Sequence, residues 1–210
     1  MIGYTSSMNP WTKEERRIFH SLSTTQKIQD FLEKIPANFE KNGETCFSPR
    51  MMLQKRKAHC VEGALFAAAA LRFHGHPAIL MDLTSDKGDD DHVVALFKRQ
   101  GCYGAISKTN HAVLRYREPI YRSPRELALS YFHEYFLDDG KKTLRSFAIL
   151  HLKKFDHLHW ETSEDHLWQI YRALFKTKHI PLLNRSQIAT LRKADPIERK
   201  AGKLVAWKKH

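Results

Sequence analysis

The stretch HCVEGALFAAAALRFH, residues 59–74, is apolar on nearly every face of the helix that it predicts. A surface helix of a globular protein keeps a polar face, so this composition indicates a helix that is buried on most sides. Gly75 and Pro77 follow the stretch and end the helix, because glycine favours a left-handed cap and proline cannot continue the helix. Cys60 lies in the first turn of this helix and is the first candidate functional residue.

The strands are predicted mainly on the C-terminal side of the buried helix. Residues 78–83 are a strand candidate, and residues 92–98, apolar on both alternating faces, have the pattern of a central strand. Gln100-Gly101 is a turn signal that joins this strand to residues 102–109 as an antiparallel hairpin. Further elements are predicted as one or two helices at 12–34, helices at 50–57, 123–136 and 163–175, and a strand at 145–152.

The order of these elements predicts an α+β fold, with a small antiparallel sheet packed on the buried helix that begins at Cys60. A chain of 210 residues fits one domain. We divide it into an N-terminal helical segment at 1–47, a core at 48–175 and a basic C-terminal extension at 176–210.

The charge of the chain is concentrated in the C-terminal extension. The net charge is +12, and residues 176–210 contain ten Lys or Arg against only Asp195 and Glu198. A solvated surface is the favoured interpretation. Alternatively, the extension contacts nucleic acid or an acidic partner through screened Coulomb attraction.

The cysteines and the hydropathy pattern exclude several classes of protein. Cys46, Cys60 and Cys102 have no C-x-x-C spacing, so neither a disulfide framework nor a zinc site is predicted. The first nineteen residues include five charged side chains where a signal peptide needs an apolar run, and no stretch is long enough to span a bilayer. We therefore expect a cytoplasmic protein without a membrane span, a metal ion or a cofactor.

Cys60 and His92 are the candidate catalytic pair. Free N–H groups and the macrodipole at a helix N-terminus favour the thiolate, the reactive form of cysteine, but by less than one pKa unit at an exposed site. A nearby imidazole would favour the thiolate more strongly and could later protonate a leaving amine. His92 opens the central strand and is the candidate for this role, and His59 is a second possible influence on the thiol.

The hairpin register decides which side chain orients the His92 ring. A two-residue loop at Gln100-Gly101 places Val94 opposite Ser107, so that Ser107 and Thr109 share the face of His92. A three-residue loop places Asn110 directly opposite His92 instead. The sequence leaves both registers open.

A second set of donors is needed to stabilise an oxyanion during acyl transfer. The backbone N–H of Cys60 is one candidate, and the side-chain amide of Gln54, six residues upstream, is a weaker one. An exposed glutamine on a helix surface is the favoured interpretation of Gln54.

The order of Cys60 and His92 resembles that of the transglutaminase-like superfamily, whose members are relatives of the papain-like cysteine proteases. The matching segments are AHCVEGALFAAAALRFHGHPAILMDL and DHVVALFKRQGCYGAISKTN, within residues 48–122, and the flanking LRYREPIYRSPRELALSYF is similar to uncharacterised bacterial proteins with this domain. The resemblance implies a papain-like core, Cys60 as the nucleophile and His92 as the general base or acid. Family members have an aspartate where this chain has Ser107, and papain-like enzymes use asparagine, which makes Asn110 the alternative.

These observations lead to a hypothesis of function with two competitors. The leading hypothesis is a cysteine-nucleophile amide hydrolase or acyltransferase that acts on an amide-containing substrate: a peptide, a protein or a small molecule. A catalytically inactive binding module of the same fold is the first competitor, because Ser107 replaces a carboxylate. Nucleic-acid association through the basic extension is the second.

Overall fold

The computed structural model describes residues 11–208, so the first ten residues of the N-terminal segment and the last two of the C-terminal extension lie outside it. The described helices are α1 (Lys13–Ser21), α2 (Thr25–Glu33), α3 (Pro49–Lys55), α4 (Cys60–Phe73), α5 (Pro124–Ser130), α6 (Trp168–Lys176), α7 (Arg185–Ala189) and α8 (Pro196–Gly202). The strands are β1 (Ile79–Ser85), β2 (His92–Arg99), β3 (Cys102–Ser107), β4 (Arg117–Tyr121), β5 (Leu144–His151) and β6 (Ile180–Pro181). The α+β class is confirmed.

The six strands form one antiparallel sheet in the order β4-β3-β2-β1-β5-β6. β2 and β1 are central, as the apolar pattern of residues 92–98 predicts. Gln100 and Gly101 both have positive φ, at 51° and 82°, which suits the two-residue turn of a tight hairpin. The register therefore places Arg99 opposite Cys102 and Val94 opposite Ser107.

The helix α4 is the centre of the core. Every residue from Val61 to Leu71 is buried, and the four alanines at 67–70 are fully covered. The small side chains let α4 approach the sheet closely, as the all-round apolar composition predicts. A second core covers the other face of the sheet and contains Leu127, Tyr131 and Tyr135.

Three elements differ from the sequence-based expectation. α6 begins at Trp168 rather than at Ser163, because Ser163 forms a local turn with Asp165 and the next residues bond to Cys46. The predicted helix at 123–136 ends at Ser130 and continues as a short 3-10 turn. β4 was not predicted, because Pro119 and three charged neighbours obscure its pattern, but an edge strand tolerates proline.

The N-terminal helices pack on α4. Phe19 of α1 stacks on Phe66 of α4 with ring centroids 5.2 Å apart, and Arg50 donates to the Glu15 carboxylate at 2.7 Å. None of the helices within residues 11–208 is long and apolar enough to cross a membrane.

The C-terminal extension lies against the core over its described part. β6 pairs with β5, and Val205 forms a bridge to His111. Several of its cations already pair with carboxylates: Arg192 with Asp195, Lys193 with Asp139 and Lys203 with Asp138. Nucleic-acid association through this segment stays a prediction.

Candidate active site

Cys60 is the first residue of α4, and its side chain is partly buried. His59 is the N-cap residue and Glu62 is the third helical residue, and the two form a reciprocal capping box. As the first helical residue, Cys60 has a backbone N–H without an intrahelical acceptor, and the positive end of the helix dipole lies at its thiol. This position favours a negative charge on sulfur.

His92 is held by a relay of two hydrogen bonds. Its Nε2 lies 2.8 Å from Ser107 Oγ, and the Ser107 hydroxyl donates to the Leu114 carbonyl oxygen at 2.5 Å. Because the carbonyl can only accept, the single hydroxyl proton is committed to it, and Ser107 must accept from His92 Nε2–H. This fixes the tautomer and leaves Nδ1 as the ring nitrogen available to the thiol.

Two imidazole rings, those of His59 and His92, lie near enough to the Cys60 thiol to lower its pKa. Burial opposes a charge on sulfur and raises its pKa, but the hydrogen bonds and positive charge of the two rings outweigh burial. Together they lower the pKa of Cys60 from its ordinary value of 9.0 to about 5. The site therefore favours a thiolate at neutral pH.

His59 has its own acidic surroundings. Its Nε2 lies 3.0 Å from the Thr45 carbonyl oxygen, 3.4 Å from a Glu62 carboxylate oxygen and 3.7 Å from one of Glu40. Burial lowers the pKa of His59, but the Cys60 thiolate, the Glu62 carboxylate and the Thr45 carbonyl together outweigh burial. The net result is a pKa raised from 6.5 to about 9. When the ring is charged, Nδ1 bears a proton, so the 3.3 Å contact from Val61 N–H to Nδ1 belongs to the neutral ring.

Glu62 ties the loop before α3 to the start of α4. The side chain is fully buried, and its two oxygens accept from Thr45 Oγ1 at 2.7 Å, from the Phe47 and His59 backbone N–H groups at 3.0 Å each, and from Asn38 Nδ2 at 3.1 Å. A carboxylate with this many donors is stable without a cationic partner. Glu62 thus positions both His59 and the loop before α3.

Two cavities meet at Cys60 and His59. The first cavity has a volume of about 480 Å³ and is lined by His92, by residues 108–111 and by Arg199 and Lys203 of the C-terminal segment. The second, which we call the acidic groove, has a volume of about 620 Å³ and runs between the turn at 85–91 and α6. Cys60 therefore lines both cavities.

The sequence-based site residues fall into two groups. Cys60, His92 and Ser107 come together: the His92 ring is near enough to the thiol to lower its pKa, and it is hydrogen-bonded to Ser107. Asn110 does not lie opposite His92, because the hairpin has the two-residue loop; instead its amide donates to the Trp207 carbonyl at 3.0 Å and accepts from the Trp207 N–H at 2.8 Å. Gln54 is exposed on α3, where its amide lies 3.5 Å from Glu164, and it lines neither cavity.

The other two cysteines have different surroundings. Cys46 is fully buried, and burial together with the nearby Glu62 charge raises its pKa to about 12. Cys102 starts β3 at the hairpin turn. Cys60, by contrast, lies at a helix N-terminus beside the rings of His59 and His92.

Sequence reasoning gave too little weight to His59 and overlooked Glu62. The spacing His59-x-x-Glu62 is that of a capping box, but the usual Ser or Thr at the N-cap is replaced by histidine, which hides the motif. Leu114 was also missed, because its contribution is a backbone carbonyl brought to Ser107 by an irregular loop.

No metal site accompanies the thiol in the described part of the chain: within residues 11–208, no three His, Cys, Asp or Glu side chains are grouped to hold a metal ion. No protein-family model matches the chain, and no curated protein is significantly similar to it. The resemblance to the transglutaminase-like superfamily therefore stays a prediction from the residues.

Proposed function

We propose that the protein is a cysteine-nucleophile acyl-transfer enzyme that hydrolyses an amide bond or transfers the acyl group. The observation that supports this most strongly is the Cys60 thiol at a helix N-terminus between the rings of His59 and His92, with Ser107 behind His92. A pKa of about 5 for Cys60 gives a thiolate at neutral pH, and the thiolate is the nucleophilic form. The papain-like core implied by the sequence resemblance is part of this proposal.

The proposed reaction has two steps. The Cys60 thiolate attacks the carbonyl carbon, a C–S bond forms, the C–N bond breaks, and the amine leaves with a proton from the protonated His92 ring. Water then attacks the thioester; His92 accepts a water proton, and the products are a carboxylate and the regenerated thiol. Transfer to an amine would replace water by a second bound substrate. Hydrolysis is preferred because it needs no such binding site.

The backbone N–H of Cys60 is the oxyanion donor in this proposal. Gln54 is not assigned to this role, because its amide faces Glu164 on the exposed surface of α3. The carbonyl oxygen of a substrate bound at Cys60 would approach the free N–H at the start of α4.

The direct test is acylation of Cys60 by an activated acyl ester. The p-nitrophenyl ester of a short neutral acid should release one equivalent of nitrophenolate in a burst, and mass spectrometry should find the acyl group on the peptide that contains Cys60. Cys60→Ala should abolish the burst, and Cys102→Ser, the matched control, should retain it. Equal acylation of the parent and of Cys60→Ala would overturn the proposal.

A binding module without catalysis is the second candidate, and one observation favours it. Ser107 is neutral, so it stabilises an imidazolium less well than a carboxylate would at the same position. If this candidate is correct, Cys60 will be acylated once by the ester but no turnover will follow with any amide. Repeated turnover after the burst excludes it.

A further inference from the structure

The acidic groove begins at Cys60 and has a strongly negative lining. Seven carboxylates line it against a single lysine, Lys87. Glu40 and Glu44 belong to the loop on one side, the turn at 85–91 forms the other side, and the buried Asp82 lies at the base. The first cavity differs, because Arg199, Lys203 and Lys108 contribute to its walls beside five carboxylates, of which Asp89, Asp90 and Asp91 are shared with the groove.

Part of this negative charge is not neutralised by the chain itself. Asp86 pairs with Lys141 at 2.7 Å and with Arg145 at 3.2 Å, and Asp82 lies 3.1 Å from His179. The side chains of Glu44 and Asp90 are exposed, and neither forms an ion pair with any residue in the described part of the chain. An ammonium or guanidinium group in the groove would therefore meet carboxylates that have no other cationic partner.

An aromatic surface of α6 forms a third side of the groove. Trp168, Tyr171 and Phe175 succeed each other in edge-to-face contacts, and Phe175 is 54% exposed, which is unusual for so large an apolar side chain. Within residues 11–208, no lysine or arginine of the chain lies over the Tyr171 or Phe175 ring. Free aromatic faces beside carboxylates are the combination that binds organic cations.

Two further features belong to the lining of the groove. Thr84 Oγ1 is buried against the groove and has no hydrogen-bond partner within the described residues, although buried hydroxyls are normally paired. In addition, burial and then the charges of Glu44, Cys60 and Glu40 raise the pKa of Tyr171 above its ordinary value.

From this arrangement we infer that the acyl substrate carries an ammonium or guanidinium group, and that this group binds in the acidic groove between the Glu44 and Asp90 carboxylates and the rings of Tyr171 and Phe175. The inference rests on the proposed function, since it names the substrate class of the same thiol. It assigns the groove to the acyl part of the substrate and leaves the first cavity for the leaving amine.

The test compares two p-nitrophenyl esters of equal shape. One is the ester of trimethylammoniobutyrate, and the other is its neutral isostere, in which carbon replaces the quaternary nitrogen. The rate of nitrophenolate release measures acylation of Cys60. Each rate is divided by the rate at which a small free thiol reacts with the same ester, which removes the difference in intrinsic reactivity between the two esters. The quantity of interest is the ratio of the cationic to the neutral ester.

We expect this ratio to be at least about 10 for the parent protein at low salt and to fall as ionic strength rises. The variant Glu44→Gln/Asp90→Asn should lower it at least about threefold, because two neighbouring charges are removed. Glu118→Gln, which removes an exposed carboxylate on β4 that lines neither cavity, should leave it unchanged. Phe175→Leu should lower the ratio through loss of the ring face.

The outcomes separate the inference from the function on which it rests. If both esters acylate Cys60 at a normalised ratio near one, the groove does not select cations and the inference is overturned, while the proposed function stands. If neither ester acylates Cys60, the proposed function fails and the inference fails with it. A ratio that Glu118→Gln lowers as much as Glu44→Gln/Asp90→Asn would also overturn the groove assignment.

Discussion

His92 Nε2 lies 2.8 Å from Ser107 Oγ, and the Ser107 proton is committed to the Leu114 carbonyl. The serine therefore acts as an acceptor toward the ring and holds it in one tautomer, a task that a carboxylate or a side-chain amide performs in other cysteine enzymes. Because the hydroxyl is neutral, it orients the ring and adds little stabilisation to an imidazolium. This relationship leads to the first prediction.

Ser107→Ala should lower the rate of Cys60 acylation about tenfold while the protein stays folded. The ring then loses its Nε2 acceptor and samples other orientations and the wrong tautomer. Ser107→Thr keeps a hydroxyl and should restore most of the rate. If Ser107→Ala acylates at the parental rate across the pH range, the orienting role is excluded.

His59→Gln should raise the pKa of Cys60, because it removes one of the two rings that lower it. The sign follows from the charge: without the His59 cation, the thiolate is less stable, so alkylation at pH 6 should slow several-fold. Above about pH 9, where the thiol ionises in both proteins, the two rates should converge. Identical profiles for parent and variant would show that the second ring does not influence the thiol.

Glu62→Gln should destabilise the protein by at least about 2 kcal/mol, since the carboxylate accepts from several buried donors and the amide brings donors of its own. Urea unfolding at pH 7 measures the change, with Glu126→Gln on the exposed start of α5 as a control for loss of a capping carboxylate. A change below about 0.5 kcal/mol would contradict the organising role of Glu62.

Asp82 makes the stability depend on pH. Burial raises its pKa from 3.8 to about 6, although His179 opposes the shift. The folded state therefore holds this proton more tightly than the unfolded state, and the resulting stabilisation is complete below about pH 4 and lost as pH rises to about 6. The stability of Asp82→Asn relative to the parent should thus increase over this window, by up to about 3 kcal/mol. Urea unfolding at pH 4 and 7 measures it, and a constant difference would contradict the buried-acid assignment.

Asn110→Ala should release the end of the C-terminal segment, because the Asn110 amide makes both side-chain hydrogen bonds to the Trp207 backbone. Hydrogen exchange at residues 204–208 should accelerate at least about tenfold, while exchange in β2 and β3 stays unchanged. Thr109→Ala, a neighbouring loop substitution, is the control. Unchanged exchange at 204–208 would mean that the segment is held elsewhere.

The parts of the fold that the sequence predicts well are those with a strong local signal. The all-round apolar pattern of residues 59–74 predicts the buried α4, and Gln100-Gly101 predicts the hairpin. α6 was placed too early, because Ser163 has the local signature of a cap although tertiary bonds from Cys46 hold the next residues out of the helix. Such competition between a local cap and a distant partner is invisible in a single sequence.

The candidate site divides in the same way. Cys60 and His92 are recognisable from their positions at the start of a helix and of a strand, but the choice between Ser107 and Asn110 depends on one residue of hairpin register. The contribution of His59 could not be weighed from spacing alone, because its ring turns back to cap its own helix. The acidic groove combines loop, turn and helix segments that lie as far apart in the chain as Glu40 and Phe175, and only the fold brings them to the thiol.

The pH dependence of Cys60 alkylation tests the central claim most directly. Iodoacetamide rates, followed by mass spectrometry of the peptide that contains Cys60 in a Cys102→Ser background, should rise with a midpoint near pH 5 and be constant from about pH 6 to 8, while Cys46 stays unmodified. A midpoint at pH 8 or above, as in an ordinary thiol, would contradict activation by the two imidazole rings.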